Sequence, residues 1–303
     1  IHDDEIFVLL PNHHMRRILD TVDRLRPSRI PDGVLLGGGT VIGRQEWLTR
    51  LNAYLGVRRG GEVRVWGAGV EDPSFLGTRT HATSESLTAW RAVLAKVSAV
   101  GVRGPRSAEL LGDIGIEAVV VGDPALAITP TVAGGSTDER SIALNIATPE
   151  DSYGSDSRPS TWATDLTRML VAKGYRVFPF AMEKSDLAPT QQVADSSPAC
   201  RGVVYEPSDA LELVNWLADK GAVISQRLHG SILSAAAGTP FISLDYRPKC
   251  ADFAASVSMS DFNVRIDRTS IGEIVDLTSR LESEGDRIRQ DLAREVNGLR
   301  TIQ

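Results

Sequence analysis

Arg227 and His229 stand two residues apart in the run Val223-Ile224-Ser225-Gln226-Arg227-Leu228-His229-Gly230-Ser231. The run leads from an apolar stretch into a helix of small residues that ends in Ala235-Ala236-Ala237-Gly238. Ligands of open α/β sheets bind at the carboxyl ends of strands. A helix N-terminus adds unpaired N–H groups and the positive end of a dipole. The loop therefore suits an anion. Arg227 would clamp a phosphate or carboxylate with two parallel hydrogen bonds. His229, whose ordinary pKa lies near neutrality, would act as general acid or base. In extended chain the two side chains point the same way, with Leu228 between them turned into the core. Gly230 and Ser231 open the helix and join the expected binding set. The competing structural reading is an arginine paired with a surface acid and a histidine capping a helix.

A second arginine loop has the same layout. Ala99-Val100-Gly101-Val102-Arg103-Gly104-Pro105-Arg106-Ser107 runs from a strand end to a helix start. Arg103 is expected as a second clamp and Arg106 as a binding residue near the helix beginning. The structural alternative pairs Arg103 with Asp113 or Glu109. Gly37-Gly38-Gly39 follows a short apolar run and lets backbone N–H groups approach a ligand unobstructed. Lys249, in Asp245-Tyr246-Arg247-Pro248-Lys249, would add positive charge to the same cleft. Asp123, before Pro124, reads as a turn former, and His13-His14 as surface residues.

These loops need strands and helices in alternation to hold them, and the sequence supplies both. Strands are expected at Val34–Leu36, Val63–Trp66, Ala99–Val102, Ala118–Val121, Ser141–Ile146, Tyr175–Phe180, Ala222–Ser225 and Phe241–Leu244. The apolar run from Val63 reads as stopped by Gly67-Ala68-Gly69. Helices are expected at Ser84–Lys96, Ser107–Gly112, Thr161–Lys173, Ser208–Lys220, Gly230–Ala237 and Asp286–Leu299. Trp162, Leu166 and Met169/Leu170 share one helical face, as do Leu211, Val214 and Leu217. Ser270-x-x-Glu273 reads as a capping box. Thr131 to Arg140 is small and polar, as a linker would be, and Asp151 to Ser160 reads as a mobile loop. The fold class is thus α/β, with two Rossmann-like domains, residues 1–130 and 131–303, and a central cleft.

Composition narrows the function. In 303 residues, Lys+Arg number 33 against 39 Asp+Glu, a net charge of −6, which argues against a nucleic-acid partner. Hydrophobic residues are 42%, enough for packed cores. Cys200 and Cys250 form no Cys-x-x-Cys pair and fit a reducing, cytoplasmic compartment. No apolar run approaches the ~20 residues of a membrane helix. Ile1 in place of Met leaves room for a preceding segment. The nicotinamide fingerprint, the phosphate-loop lysine motif and the His-Glu-x-x-His and Gly-x-Ser-x-Gly motifs are all missing. The five histidines do not cluster with carboxylates. No metal and no cofactor are expected.

Taken in order, the segments resemble the polysaccharide pyruvyltransferase family. Gly37-Gly38-Gly39-Thr40 looks like its glycine-rich loop. The stretch from Val102-Arg103 to Gly115, with Val121-Gly122-Asp123-Pro124, looks like its arginine–serine helix and Asp-Pro turn. Arg227-Leu228-His229-Gly230, the alanine-rich helix, Gly238-Thr239-Pro240 and Asp245-Tyr246-x-x-Lys249 look like its C-terminal signature. There are two departures. A Gly-Asn-x-Gly-Asp-type loop near the start is not seen, and Gly104 stands where many members carry an acid. The resemblance implies a GT-B-like arrangement, with acceptor on the N-terminal side and donor on the C-terminal side. It implies transfer of pyruvate from phosphoenolpyruvate onto two hydroxyls of a sugar, giving a cyclic ketal. The acceptor would be lipid-linked or polymeric, at the inner face of the membrane. Arg103 and Arg227 would clamp the donor across the cleft, with His229 as acid or base. The alternatives are a GT-B glycosyltransferase with a nucleotide-sugar donor and an inactive carbohydrate-binding or scaffold protein.

Overall fold

The computed structural model describes residues 33–57, 62–75, 83–131, 138–147, 153, 161–197, 200 and 204–303. His13-His14, the Asp3-Asp4-Glu5 stretch, residues 132–137 of the linker and the 151–160 loop other than Tyr153 lie outside them.

Two parallel sheets carry the molecule. The N-terminal lobe has β1 (Gly33–Gly37), β2 (Thr40–Ile42), β3 (Glu62–Val70), β4 (Ala99–Val102) and β5 (Val119–Val120). Their order is β1-β3-β4-β5, with β2 also on β3. Helices α1 (Gln45–Val57), α2 (Ser84–Leu94) and α3 (Pro105–Asp113) cover this sheet. The C-terminal lobe has β6 (Asp138–Asn145), β7 (Arg176–Pro179), β8 (Lys220–Ser225), β9 (Phe241–Asp245) and β10 (Asn263–Arg265), in the order β10-β9-β8-β6-β7. Its helices are α4 (Trp162–Ala172), α5 (Leu187–Asp195), α6 (Ala210–Ala218), α7 (Leu228–Ala236), α8 (Pro248–Ser256), α9 (Ile271–Ser283) and α10 (Gly285–Ile302).

Every residue of β8 and β9 is buried, as required of parallel strands covered on both faces. From β6 the chain steps outward to β7, then returns to β8 and continues the other way. The carboxyl ends of β6 and β8 are therefore the switch point at which such sheets bind ligands. Asn145 and Ser225 are paired there.

α10 crosses back to the first lobe. Ile288, Leu292, Val296 and Leu299 form its buried stripe. Arg300 Nε donates to the Leu126 carbonyl at 2.7 Å, and its Nη2 to Ile128 at 3.1 Å and Ala236 at 2.9 Å. Gln303 Nε2 donates to the carbonyls of Val121 at 2.9 Å and Asp123 at 3.0 Å. The turn at Pro124–Ala127 is thereby held by both lobes, and its Leu126 belongs to the C-lobe core.

Several local expectations need correction. β3 is not stopped by its glycines; Gly67 sits inside it at φ +65°, where the register with β4 shifts. A Cβ on Gly67 would run into the Pro124 ring, so the glycine serves a crossing of chains rather than a turn. α3 runs past Gly112 to Asp113, and the left-handed position is Gly115 at φ +75°. The apolar stripes are shifted. Met169 is 42% exposed and Leu211 40%, while Leu213 joins Val214 and Leu217 inside. The Ser270–Glu273 capping box is present on α9. Cys200 and Cys250 are both buried and free.

Candidate active site

β8 ends at Ser225, and α7 begins at Leu228. Only Gln226 and Arg227 make the connection. Gly230 has to be glycine, because a Cβ would overlap the Ser225 hydroxyl beneath it. Asn145 fixes the bend from β6. Its Oδ1 accepts from the Arg227 N–H at 3.0 Å and from Ser225 Oγ at 3.3 Å.

The tight turn overturns one expectation. Arg227 and His229 are not successive same-side positions of an extended chain. Arg227 is the N-cap of α7, at φ −76° and ψ 130°, and His229 already lies in the helix. Their side chains go to different places. Arg227 turns within its own lobe, where Nε donates to Asp186 Oδ1 at 3.1 Å and Nη2 to the same oxygen at 2.6 Å. Nη2 also pairs with Glu183 and meets Ser185 Oγ at 3.0 Å. Asp186 is fully buried and also accepts from Asn145 Nδ2 and the Met182 N–H, so it is a fixed anchor.

His229 instead faces the first lobe from a cleft that is walled by protein yet leaves the ring open to solvent. Desolvation by those walls lowers its pKa. Asp123 pushes it up, and Arg103 and Lys249 push it down. The ring is therefore neutral near pH 7, the form able to take a proton.

Arg103 is 1% exposed, and its Nε lies 3.0 Å from Asp123 Oδ2. Neither Asp113 nor Glu109 is that counter-ion. Asp123 also accepts the Ala125 N–H at 3.0 Å, so it forms the turn read from the sequence and holds Arg103 as well. Gly69 lies flat beneath the guanidinium; a Cβ there would stand 3.2 Å from both Arg103 Nη2 and Thr40 Oγ1. That Thr40 hydroxyl is buried with no hydrogen-bond partner. Gly38 and Gly39, at φ +66° and +63°, turn the chain beside it, and the Gly39 carbonyl accepts from the Gly69 N–H at 2.7 Å. Gly37 ends β1 against Trp66.

Lys249 opens α8 and is half-buried, its Nζ 4.9 Å from the centre of the Tyr246 ring. Burial pulls its pKa down to about 8, with Arg247 and Arg103 lowering it and Cys250 and Glu71 raising it. Ser231, in the first turn of α7, is fully buried, and its hydroxyl has no hydrogen-bond partner. Arg106 goes elsewhere; its Nε reaches Asp72 at 2.9 Å and its Nη1 Glu109 at 2.7 Å.

The fold thus gathers Arg103, His229 and Lys249 into one electrostatic neighbourhood with Asp123. Arg227 and Arg106, like Arg103, are engaged by acids of their own lobes. Asp123 as a counter-ion, Asp186, Asp252 and Glu71 escape a motif reading, since their partners lie far off in sequence. Among the described residues no group of three His, Cys, Asp or Glu side chains could hold a metal ion. Nor, among the described residues, is any helix long and apolar enough to cross a membrane.

Comparison with solved structures shows the same GT-B-like architecture. The UDP complex of S. aureus MnaA is 12% identical with a TM-score of 0.60, covering 95% of this chain and 76% of that one. The Neisseria meningitidis UDP-GlcNAc 2-epimerase bound to UDP-GlcNAc is 15% identical with a TM-score of 0.59, covering 97% and 82%. TarM is 10% identical with a TM-score of 0.53, and this chain, 93% covered, spans 54% of its length. At these identities the likeness concerns the fold. No curated protein matches the chain. The profile of the family described as Polysaccharide pyruvyl transferase matches residues 1–248, which takes in both arginine loops and His229, and the chain belongs to that family.

Proposed function

We propose that this protein transfers pyruvate from phosphoenolpyruvate to two hydroxyls of a sugar in a polysaccharide or its precursor, as a cyclic ketal. The observation that carries the reading is the approach of Arg103 from one lobe to His229 and Lys249 from the other. Three nitrogen groups facing one cleft suit a small dianion or trianion, and burial strengthens each attraction.

In this reading the donor's phosphate lies at the positive end of the α7 dipole, beside His229. Lys249 meets the charge of the carboxylate and the leaving phosphate, and Arg103, buried against Asp123, stands behind it. Neutral His229 accepts the proton of the attacking sugar hydroxyl. The oxygen bonds to C2 of the enol ester while C3 gains a proton and becomes the methyl group. The second hydroxyl then bonds to C2, the C2–O bond to phosphate breaks, and its proton leaves with inorganic phosphate. Each turnover consumes one phosphoenolpyruvate and two hydroxyls and yields one ketal and one phosphate. Arg227, anchored on Asp186, shapes the loop and adds positive potential from the side. The glycines at 37–39 line the acceptor side. The site of action in this reading is the cytoplasm, with membrane-face association following from a lipid-linked acceptor.

The test is twofold. Calorimetry should detect phosphoenolpyruvate binding, and a glycan acceptor should then trigger phosphate release. His229→Ala should retain the fold and lose phosphate release by at least about 100-fold. Binding of UDP-sugars with none of phosphoenolpyruvate would instead favour the nucleotide-sugar glycosyltransferase.

A further inference from the structure

Two helix N-termini face the seam between the lobes. That of α7 begins beside His229. That of α3 begins beside Arg103, and the protein fills it itself. Asp252, on α8 of the opposite lobe, accepts from the Arg106 N–H at 2.9 Å and the Ser107 N–H at 3.2 Å through Oδ1. Its Oδ2 accepts from the Ser107 hydroxyl at 2.6 Å. Ser107 Oγ in turn accepts from the Val70 N–H at 3.0 Å, which ties the pair to β3. Both side chains are buried.

Gly104 records the same closeness. Its backbone is extended, at φ −148° and ψ 174°, a conformation open to any residue. It is bare because a Cβ would overlap the carbonyl and carboxylate of Asp252. The missing side chain of Gly104 thus makes room for an acid from the other lobe. A second cross-lobe contact lies nearby. Arg247 Nη2 donates to Glu71 Oε2 at 2.7 Å, and Arg44 Nε holds Glu71 Oε1 at 2.7 Å.

We infer that Asp252 is a positioning residue, an internal anion that clasps α3 to α8 and so sets the spacing between Arg103 and Lys249. Arg103 is the residue before Gly104, and Lys249 lies one turn before Asp252 on the same helix. The positioning role rests on the reading of Arg103 and Lys249 as donor-binding groups; the clasp itself does not.

The experiment uses the full chain with Asp252→Ala, Asp252→Asn and Gly104→Ala. Amide hydrogen exchange is read at Arg106 and Ser107, and phosphoenolpyruvate turnover is measured in parallel. Asp252→Ala should speed exchange at both amides by about tenfold or more, the equivalent of one charge-assisted hydrogen bond. Sodium formate, a carboxylate small enough for the gap, should restore protection in that variant and leave wild type unchanged. Asp252→Asn, which fills the gap, should show a smaller loss and no response to formate. Gly104→Ala should act as a wedge and expose the same amides with Asp252 intact, which keeps the test decisive if Asp252→Ala fails to fold. Turnover should fall with loss of the clasp and recover with formate. Unchanged exchange in Asp252→Ala and Gly104→Ala would overturn the clasp. Faster exchange with wild-type turnover would overturn the positioning role. An enzyme inert toward phosphoenolpyruvate in its wild-type form would count against the proposed function while exchange still decides the clasp.

Discussion

Burial strips water from the Lys249 ammonium and pulls its pKa down to about 8, with Arg247 and Arg103 pressing the same way and Cys250 and Glu71 only partly compensating. Below that pH the ammonium is charged and attracts an anion. Above it the attraction fades, so on the proposed function the affinity for phosphoenolpyruvate should fall as pH rises through about 8, by up to about tenfold per unit for one linked proton. Binding near pH 8 should draw a proton from solution, because the anion favours charged lysine. Calorimetry in two buffers of different ionisation enthalpy reads that uptake directly, and Lys249→Met should abolish it. At this scale the sequence pointed to the candidate cationic residues, and the fold brings three of them near one another. Arg103, His229 and Lys249 are legible because each follows a strand end in a short signature. Their acidic counterparts are not. Asp252 meets Ser107 from 145 residues away, and Asp186 meets Arg227 from 41. No periodicity relates such pairs.

The strand–helix alternation was readable because buried parallel strands are short apolar runs and their helices repeat every three to four residues. What misled was glycine. In β3 the stretch Gly67-Ala68-Gly69 has a turn's composition but works as a smooth strip over which other chains pass. Pro124 crosses at Gly67, and the Arg103 guanidinium lies at Gly69. Gly67→Ala should therefore cost at least about 2 kcal/mol, from the left-handed backbone and the overlap with the proline ring. A thermal melt would show it as a clear drop in midpoint. α7 begins at Leu228, two residues before the expected Gly230, and the difference decides what the loop does. A helix starting at Leu228 sends Arg227 and His229 to opposite duties, whereas a strand would have aligned them.

Across the whole molecule, the lobes are joined by more than the connecting chain. Asp252 on Ser107, Arg247 on Glu71 and the T-shaped pair of Phe75 with Tyr153, 5.1 Å between centroids, span the seam. α10 spans it again through Arg300 and Gln303. Arg300→Ala removes hydrogen bonds to three carbonyls and should destabilise the protein by about 2 kcal/mol, measured by denaturant titration. Because the loss falls on the turn that carries Asp123, turnover should suffer as well, and the mechanism of that loss would be slack in Arg103. Sequence patterning announced α10 as a charged, amphipathic helix but gave no sign that it returns to the opposite lobe.

That return has a consequence for biosynthesis. The counter-ion of Arg103 sits on a loop whose two carbonyls are gripped by Gln303. While translation proceeds, the early half of the polypeptide can pair its strands. The Asp123 carbonyl meets its partner Gln303 only after some 180 further residues have been made.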